Sequence, residues 1–490
     1  MTLTMRARQT TEEIVASLSK PWMQYIWLFL IMLLAAGFRF YKLEEWSLWI
    51  DEIYTINHAT AHFSSGSLIL QNIPPARNWF PVSIILTAQM LNAWGVNEWS
   101  ARLTSSIVGI LTIPLLYFPT KKMFGSGVAL ISVLLLAITP WHIFWSQNAR
   151  FYTSLMLFYS LALFAFYFGI EEDKPKYLLL FFVFVYLAAS ERLTAIFIFP
   201  VVILYLAALW ILRFEKPKGL NLRNLAIISL PLVLGIIIEL YFRLVQGESR
   251  FFADFSWFTQ YQIDDPLRLL VFIGNNIGIP LMVMAVFSSL VLLGKKSRPG
   301  LLMTVSALGP LLLLMVLNLF IFTKDRYMFF TLFSWIILTV TGITEIASSL
   351  KGNRRWLVLG LFFVFFAHAA NDMLLYYQVN QGNRLPWKSA FQMVNERADQ
   401  DDVVVAFWPE FGEHYLDRQI APYAEENVDT LLTSDRKYWF VLDSETIWLN
   451  GEIKAWLEDN AELVRVWYLR RPEESYLMLY LFDPVYHIKR

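Results

Sequence analysis

Apolar runs of about twenty residues recur along this 490-residue chain, and that feature leaves little choice of fold. A helix needs about 20 residues to cross the hydrocarbon core of a bilayer, and inside it every backbone polar group must be paired within the segment. The runs fall at 21–40, 99–120, 126–146, 152–170, 177–190, 193–213, 225–245, 267–293, 300–322, 327–349 and 356–376. The sequence therefore predicts a mainly α polytopic membrane protein with about eleven transmembrane helices. Only 16% of the residues are charged, against about 25% in soluble domains.

The charges that remain are sorted. Lys121 and Lys122; Lys174 and Lys176; Arg213, Lys216, Lys218 and Arg223; Lys295, Lys296 and Arg298; and Lys351, Arg354 and Arg355 all fall in alternate loops. Basic residues mark the cytoplasmic side. Residues 1–20 are thus expected as a cytoplasmic N-terminus, 21–376 as the transmembrane module, and 377–490 as an extracytoplasmic tail. No small-residue cleavage site follows the first apolar run, which reads as an uncleaved anchor. In the tail, short β-rich runs (402–408, 438–442, 476–482) alternate with helical stretches (387–398, 451–460), the pattern of a small α/β domain. Formal net charge is zero, so no global field points to nucleic acid, and the absence of cysteine removes disulfide and thiolate chemistry.

The first outer segment, 41–98, carries Asp51 and Glu52, Pro74-Pro75 and an amphipathic stretch from Trp79 to Trp94 read as an interfacial helix. A carboxylate at the membrane boundary can deprotonate an attacking hydroxyl. The alternative is an N-cap: acidic residues favour a first helical turn, and Asp51 could cap a helix over 52–61. Thr55, His58 and His62 follow on one face; the i, i+4 histidines could hold zinc, but no third strong ligand is evident, so a divalent metal is not favoured. Arg150 and Tyr152 lie at the outer end of the third run, Arg192 interrupts an apolar run, and Arg326-Tyr327 precedes the tenth. These arginines sit on the side that basic residues usually avoid, and an Arg fork can hold a lipid phosphate; the alternative is interfacial anchoring. Arg77, Arg102, Arg243 and Arg250 also face outward. Arg102 is expected to pair with Glu98 or close the loop, and Glu239 to pair with Arg243 within its span. In the tail, Trp408, Glu410, Glu413 and His414 form a cluster whose functional reading is acceptor recognition.

The stretch Arg39–His58, with Trp49 two residues before Asp51, resembles the first external loop of GT-C membrane glycosyltransferases. It is similar above all to bacterial relatives of protein O-mannosyltransferases and of lipid A aminoarabinose transferases. Glu98-Trp99-Ser100-Ala101-Arg102, Arg150-Phe151-Tyr152 and Arg326-Tyr327 extend the resemblance. It implies a GT-C fold and a polyprenyl-phosphate-linked sugar donor. It further implies Asp51 as general base, with Arg150, Tyr152, Arg326 and Tyr327 around the substrates; Glu52, His58 and Arg192 are the further candidates for substrate contact. The acceptor could be a glycan, a lipid or a protein. A transporter of lipid-linked sugars and a non-catalytic partner subunit stay open, although neither inverted repeats nor mid-bilayer helix breaks are visible in the sequence.

The charge sorting makes a direct prediction. In a chain with no native cysteine, single reporters at Ser126→Cys, Ser297→Cys and Ser434→Cys report on sidedness. An impermeant thiol reagent on intact cells labels only the Ser434 variant. Labelling at position 126 or 297 overturns the topology.

Overall fold

A computed structural model describes residues 21–65, 81–246, 265–321, 323–349, 356–416, 420–422, 436–444, 451–469 and 475–484. Residues 1–20, Pro74-Pro75, Arg77, Trp79, Arg250, Lys351, Arg354 and Arg355 lie outside the described residues, as does the side chain of His62. The chain divides into two compact units. One comprises 1–41, 62–86 and 103–370; the other comprises 42–61, 87–102 and 371–490.

The first unit is a bundle of apolar helices. Among the described residues seven are long and apolar enough to cross a membrane, or nine if each of two bent pairs is one span. The other two expected spans are helices of their own, Pro175–Glu191, which is 17 residues long, and Trp356–Leu374. The most enclosed span is α7 (Tyr152–Glu171), with 89% of its apolar window buried, whereas α1 (Pro21–Phe40) has only 28% buried. Trp22, Tyr25, Phe29 and Leu33 on α1 are exposed, as a lipid-facing row requires. Between these two come α2 (Ile50–Ser65), α3 (Val82–Trp94), α4 (Glu98–Phe124), and the bent pair α5 (Ser126–Ile138) and α6 (Pro140–Ser146).

Where α1 ends, Arg39 is fully buried. It donates to the carbonyls of Ala35 (3.0 Å) and Ala137 (3.1 Å) and to His142 Nδ1 (2.6 Å). Arginine can only donate, so His142 accepts at Nδ1 and carries its proton on Nε2. Gly109 makes this approach possible: a Cβ there would lie 2.3 Å from Ser146 Oγ and 3.0 Å from Arg39 Nε. Gln147 then donates to the carbonyls of Phe38, Arg39 and Tyr41, fixing the point where the chain leaves α1. The expected pair inside a span is present, with Arg243 Nε 2.7 Å from Glu239 Oε1.

The basic loops converge. Lys122 and Lys174 pair with Glu172, Arg298 with Glu171 (2.8 Å), Arg223 with Asp173 (2.7 Å) and Lys295 with Glu345. All but the last meet just past the C-terminal end of α7. Arg150 precedes the other end of this 20-residue helix, about 30 Å away at 1.5 Å per residue.

The second unit contains a five-stranded sheet, order β2-β1-β3-β5-β4. Its strands are β1 (Val403–Ala406), β2 (Ala421–Pro422), β3 (Tyr438–Asp443), β4 (Glu462–Leu469) and β5 (Ser475–Phe482). β1 runs parallel to β2 and β3, and β5 antiparallel to β3 and β4. Val405, Phe440, Leu442, Tyr480 and Phe482 from the sheet pack on Ile453 and Leu457 of the helix Gly451–Asn460. The expected strands and helices of the tail are therefore present, and β2, β4 and the short helix Pro409–Tyr415 are additions to them.

The acidic loop belongs to this unit and is organised by Arg102. Its Nε donates to Glu52 Oε1 (2.9 Å) and Nη2 to Glu52 Oε2 (3.0 Å). Nη1 donates to the carbonyls of Leu43 (2.8 Å) and Trp46 (2.9 Å), and Nη2 to that of Ser47 (2.8 Å). All five N–H donors of a guanidinium are thereby used. Arg384 adds a second positive charge 3.5 Å from Glu52. Of the two expectations for Arg102, closing the loop is the one met; Glu98 is 3.0 Å from Lys388 Nζ. Glu52, expected beside the substrate, is 0% exposed and locked in this cluster. A fork matched to a carboxylate is geometrically stronger than an i, i+4 pair on a helix surface.

Removing one partner of a buried ion pair costs about 3–5 kcal/mol. Arg102→Met is expected to lower the stability of the detergent-solubilised protein by that order. Glu52→Gln in the same background should recover part of the loss by removing the buried charge. Unchanged thermal unfolding of Arg102→Met would show that the loop is held by other means.

Candidate active site

In the second unit the site begins at the N-terminus of α2. Glu52 N and Ile53 N donate to the Trp49 carbonyl at 2.8 and 3.2 Å, and Trp49 N donates back to Glu52 Oε2 at 3.0 Å. This is one arm of a capping box, with Trp49 in the cap position and Glu52 as its third-residue carboxylate. The N-cap reading of Asp51 is thereby corrected: Asp51 is the second residue of the helix. Its charge still gains from the helix dipole. Successive helical residues point about 100° apart, so Glu52 turns into the ion cluster while Asp51 stays half-buried. Thr55 Oγ1 donates to the Asp51 carbonyl (3.0 Å), and the half-buried His58 follows two turns along from Asp51. Among the described residues no three His, Asp or Glu side chains come together to hold a metal.

In the first unit the structure brings together arginines that are far apart in sequence. Arg150 lies in the turn before α7. Arg192 is the extended residue after the helix Pro175–Glu191, and Arg326 is in the 3-10 turn Asp325–Thr331. The Arg192 guanidinium lies 4.5 Å from the Tyr327 ring centre and 5.3 Å from that of Phe151. Arg150 is 4.9 Å from Phe151, and Arg326 is 6.0 Å from Tyr327. Three guanidinium groups thus share two rings. Cation–π attraction offsets part of their mutual repulsion, and an anion bound among them would offset far more.

The cluster is pinned from behind. Ser105 Oγ donates to the Arg150 carbonyl at 3.0 Å. The buried Glu191, next to Arg192, accepts from Ser83 N (2.9 Å) and Ser83 Oγ (2.5 Å) at the start of α3. Asn276 donates to Asp325, next to Arg326. One expected member drops out: Tyr152 is 1% exposed, its ring 3.9 Å from that of Trp145, so it packs in the interior rather than at a substrate surface. Phe151, the ring shared by two arginines, gave no signal in the sequence beyond its place beside Arg150.

Residues 74–237 match the family described as dolichyl-phosphate-mannose-protein mannosyltransferase. That segment includes Arg102, Arg150 and Arg192 and begins after the acidic pair. Over 215 residues, 41% of this chain, the sequence is 23% identical to YycA of Bacillus subtilis (strain 168), whose mannosyltransferase name is itself provisional; the match spans 30% of that relative's length. Among solved structures, ArnT from Cupriavidus metallidurans, crystallised with undecaprenyl phosphate, superposes with a TM-score of 0.55 at 14% identity, covering 92% of this chain and 98% of ArnT. The Archaeoglobus fulgidus oligosaccharyltransferase AglB, in complex with an inhibitory peptide and a dolichol-phosphate, gives 0.56 at 11% identity, covering 94% and 74%. Architecture and sequence agree: the chain has the GT-C fold of membrane glycosyltransferases, and part of its helical unit is similar to the mannosyltransferase family.

Proposed function

We propose that this protein transfers a sugar from a polyprenyl-phosphate carrier to an acceptor hydroxyl on the outer face of the membrane, with a cytoplasmic N-terminus and an extracytoplasmic C-terminal domain. The convergence of Arg150, Arg192 and Arg326 on Phe151 and Tyr327 carries this reading. Such an arrangement suits a phosphate ester, because forked donors match phosphate oxygens and stabilise the charge that develops as the ester leaves. The lipid phosphates bound by ArnT and AglB support the same donor class.

In the proposed reaction the acceptor oxygen attacks the anomeric carbon in line with the departing phosphate. A carbon–oxygen bond forms, the bond from the anomeric carbon to the phosphate oxygen breaks, and the configuration inverts. Asp51 takes the acceptor proton and the bond electrons leave with the polyprenyl phosphate, whose charge the arginines balance. Of the two adjacent carboxylates only Asp51 suits this role, because Glu52 is committed to Arg102. A single base is sufficient, so no covalent enzyme intermediate is needed.

The test uses mannosyl phosphoundecaprenol as donor in membranes containing the host's own acceptors. Asp51→Asn keeps shape and helix-dipole position but cannot take the proton, and is expected to lose about 10²- to 10⁴-fold in transfer rate with undecaprenyl phosphate binding intact. Arg150→Ala and Arg326→Ala are each expected to weaken that binding by about 10- to 150-fold, the value of a charge-assisted contact. Lysine at either position should restore only part, since the fork is lost. Wild-type transfer by Asp51→Asn would remove the base assignment. Unchanged undecaprenyl phosphate affinity in both alanine variants would reduce the arginines to interfacial anchors.

A further inference from the structure

The tail cluster singled out in the sequence, Trp408 to His414, is not used by this mechanism, yet its helix touches the acidic loop at two places. Tyr415 Oη accepts a hydrogen bond from the backbone N–H of Leu48 (2.8 Å), and Tyr54 Oη donates to Glu410 Oε1 (3.3 Å). Leu48 is three residues before Asp51 and Tyr54 three after it, so one short helix, Pro409–Tyr415, grips the chain on both sides of the carboxylate. We propose that Tyr415 and Glu410 are positioning residues for sugar transfer, and that through them the C-terminal domain sets where Asp51 is held. The inference rests on Asp51 acting as the base.

The grip is rigid at its source. Phe411 stacks on Trp387 with ring centres 4.3 Å apart and planes 8° apart, and a Cβ on Gly412 would lie 2.3 Å from Ile420 Cγ1. The helix is therefore packed into its domain and cannot follow the loop if the loop moves. Leu48 lies just ahead of α2 and is fully buried, so its N–H requires an acceptor, which Tyr415 supplies. Burial raises the Tyr415 phenol above its ordinary range. Burial, then the charge of Glu410, pushes that of Tyr54 up to about 12. Tyr54 therefore remains protonated, and a donor, across the ordinary pH range. Other contacts from the same domain support the loop further back: Lys388 N donates to Ser47 Oγ (3.0 Å), and the Trp46 ring lies 5.1 Å from that of Tyr376.

The test takes the full-length protein in lipid nanodiscs with Tyr54→Phe and Tyr415→Phe, which keep the rings and remove only the hydroxyls. Hydrogen exchange across residues 48–56 is expected to speed up about 3- to 10-fold in each variant, the value of an ordinary hydrogen bond, with the transmembrane helices unchanged. The turnover rate for mannosyl phosphoundecaprenol should fall by a similar factor while affinity for undecaprenyl phosphate stays at the wild-type value. Wild-type exchange in the loop, or faster exchange with undiminished turnover, overturns the proposal, as does a parallel loss of undecaprenyl phosphate affinity, which marks general misfolding. Asp51→Asn run alongside separates the two claims: wild-type transfer by Asp51→Asn removes the base whatever the tyrosine variants do, whereas an inactive Asp51→Asn together with wild-type loop exchange in Tyr54→Phe and Tyr415→Phe removes the grip alone.

Discussion

The second unit depends on finding five acceptors for one buried guanidinium. Arg102 lies near the start of a long apolar helix, where an unsatisfied charge would cost several kcal/mol. The chain answers by wrapping the carbonyls of Leu43, Trp46 and Ser47 around it and adding both oxygens of Glu52. That requirement dictates the path of the loop, and the loop dictates where α2 begins. Asp51 and Glu52 are adjacent and chemically alike, yet the geometry gives them opposite duties, one inward as a strut and one toward the surface.

Positive charge is handled in two ways within the helical unit. Around Glu171, Glu172 and Asp173 the lysines and arginines meet carboxylates, and the pairs tie helix ends together. Beyond the other end of α7 the arginines lie against aromatic faces. An aromatic ring steadies a guanidinium through its face, whereas a carboxylate takes its N–H edge.

How far the sequence could be read followed from the range of each interaction. Span positions and the Glu239–Arg243 pair depend on local hydropathy and spacing, and the helices and the contact match them. Arg150, Arg192 and Arg326 were legible one by one because the charge sorting set each apart from the basic loops; their meeting round Phe151 and Tyr327 was not, since it joins positions more than forty residues apart. For the same reason the loop closure by Arg102 was legible but its carboxylate partner was not: Glu98 is close in sequence, Glu52 is fifty residues away. β4 escaped notice because both of its faces stay partly exposed, which removes the alternation that marks a strand.

The helices Pro266–Ile277 and Ile279–Gly294 meet at a 98° bend, and Gly278 at the break has φ +98, a conformation that disfavours any side chain. Two residues earlier, Asn276 holds Asp325, the neighbour of Arg326. The bend therefore sets the position of the turn that presents Arg326, although Gly278 itself has no chemistry to offer. A substitution at this glycine would look conservative in an alignment and harmless on a map of charged residues, yet it would displace the turn that carries Arg326.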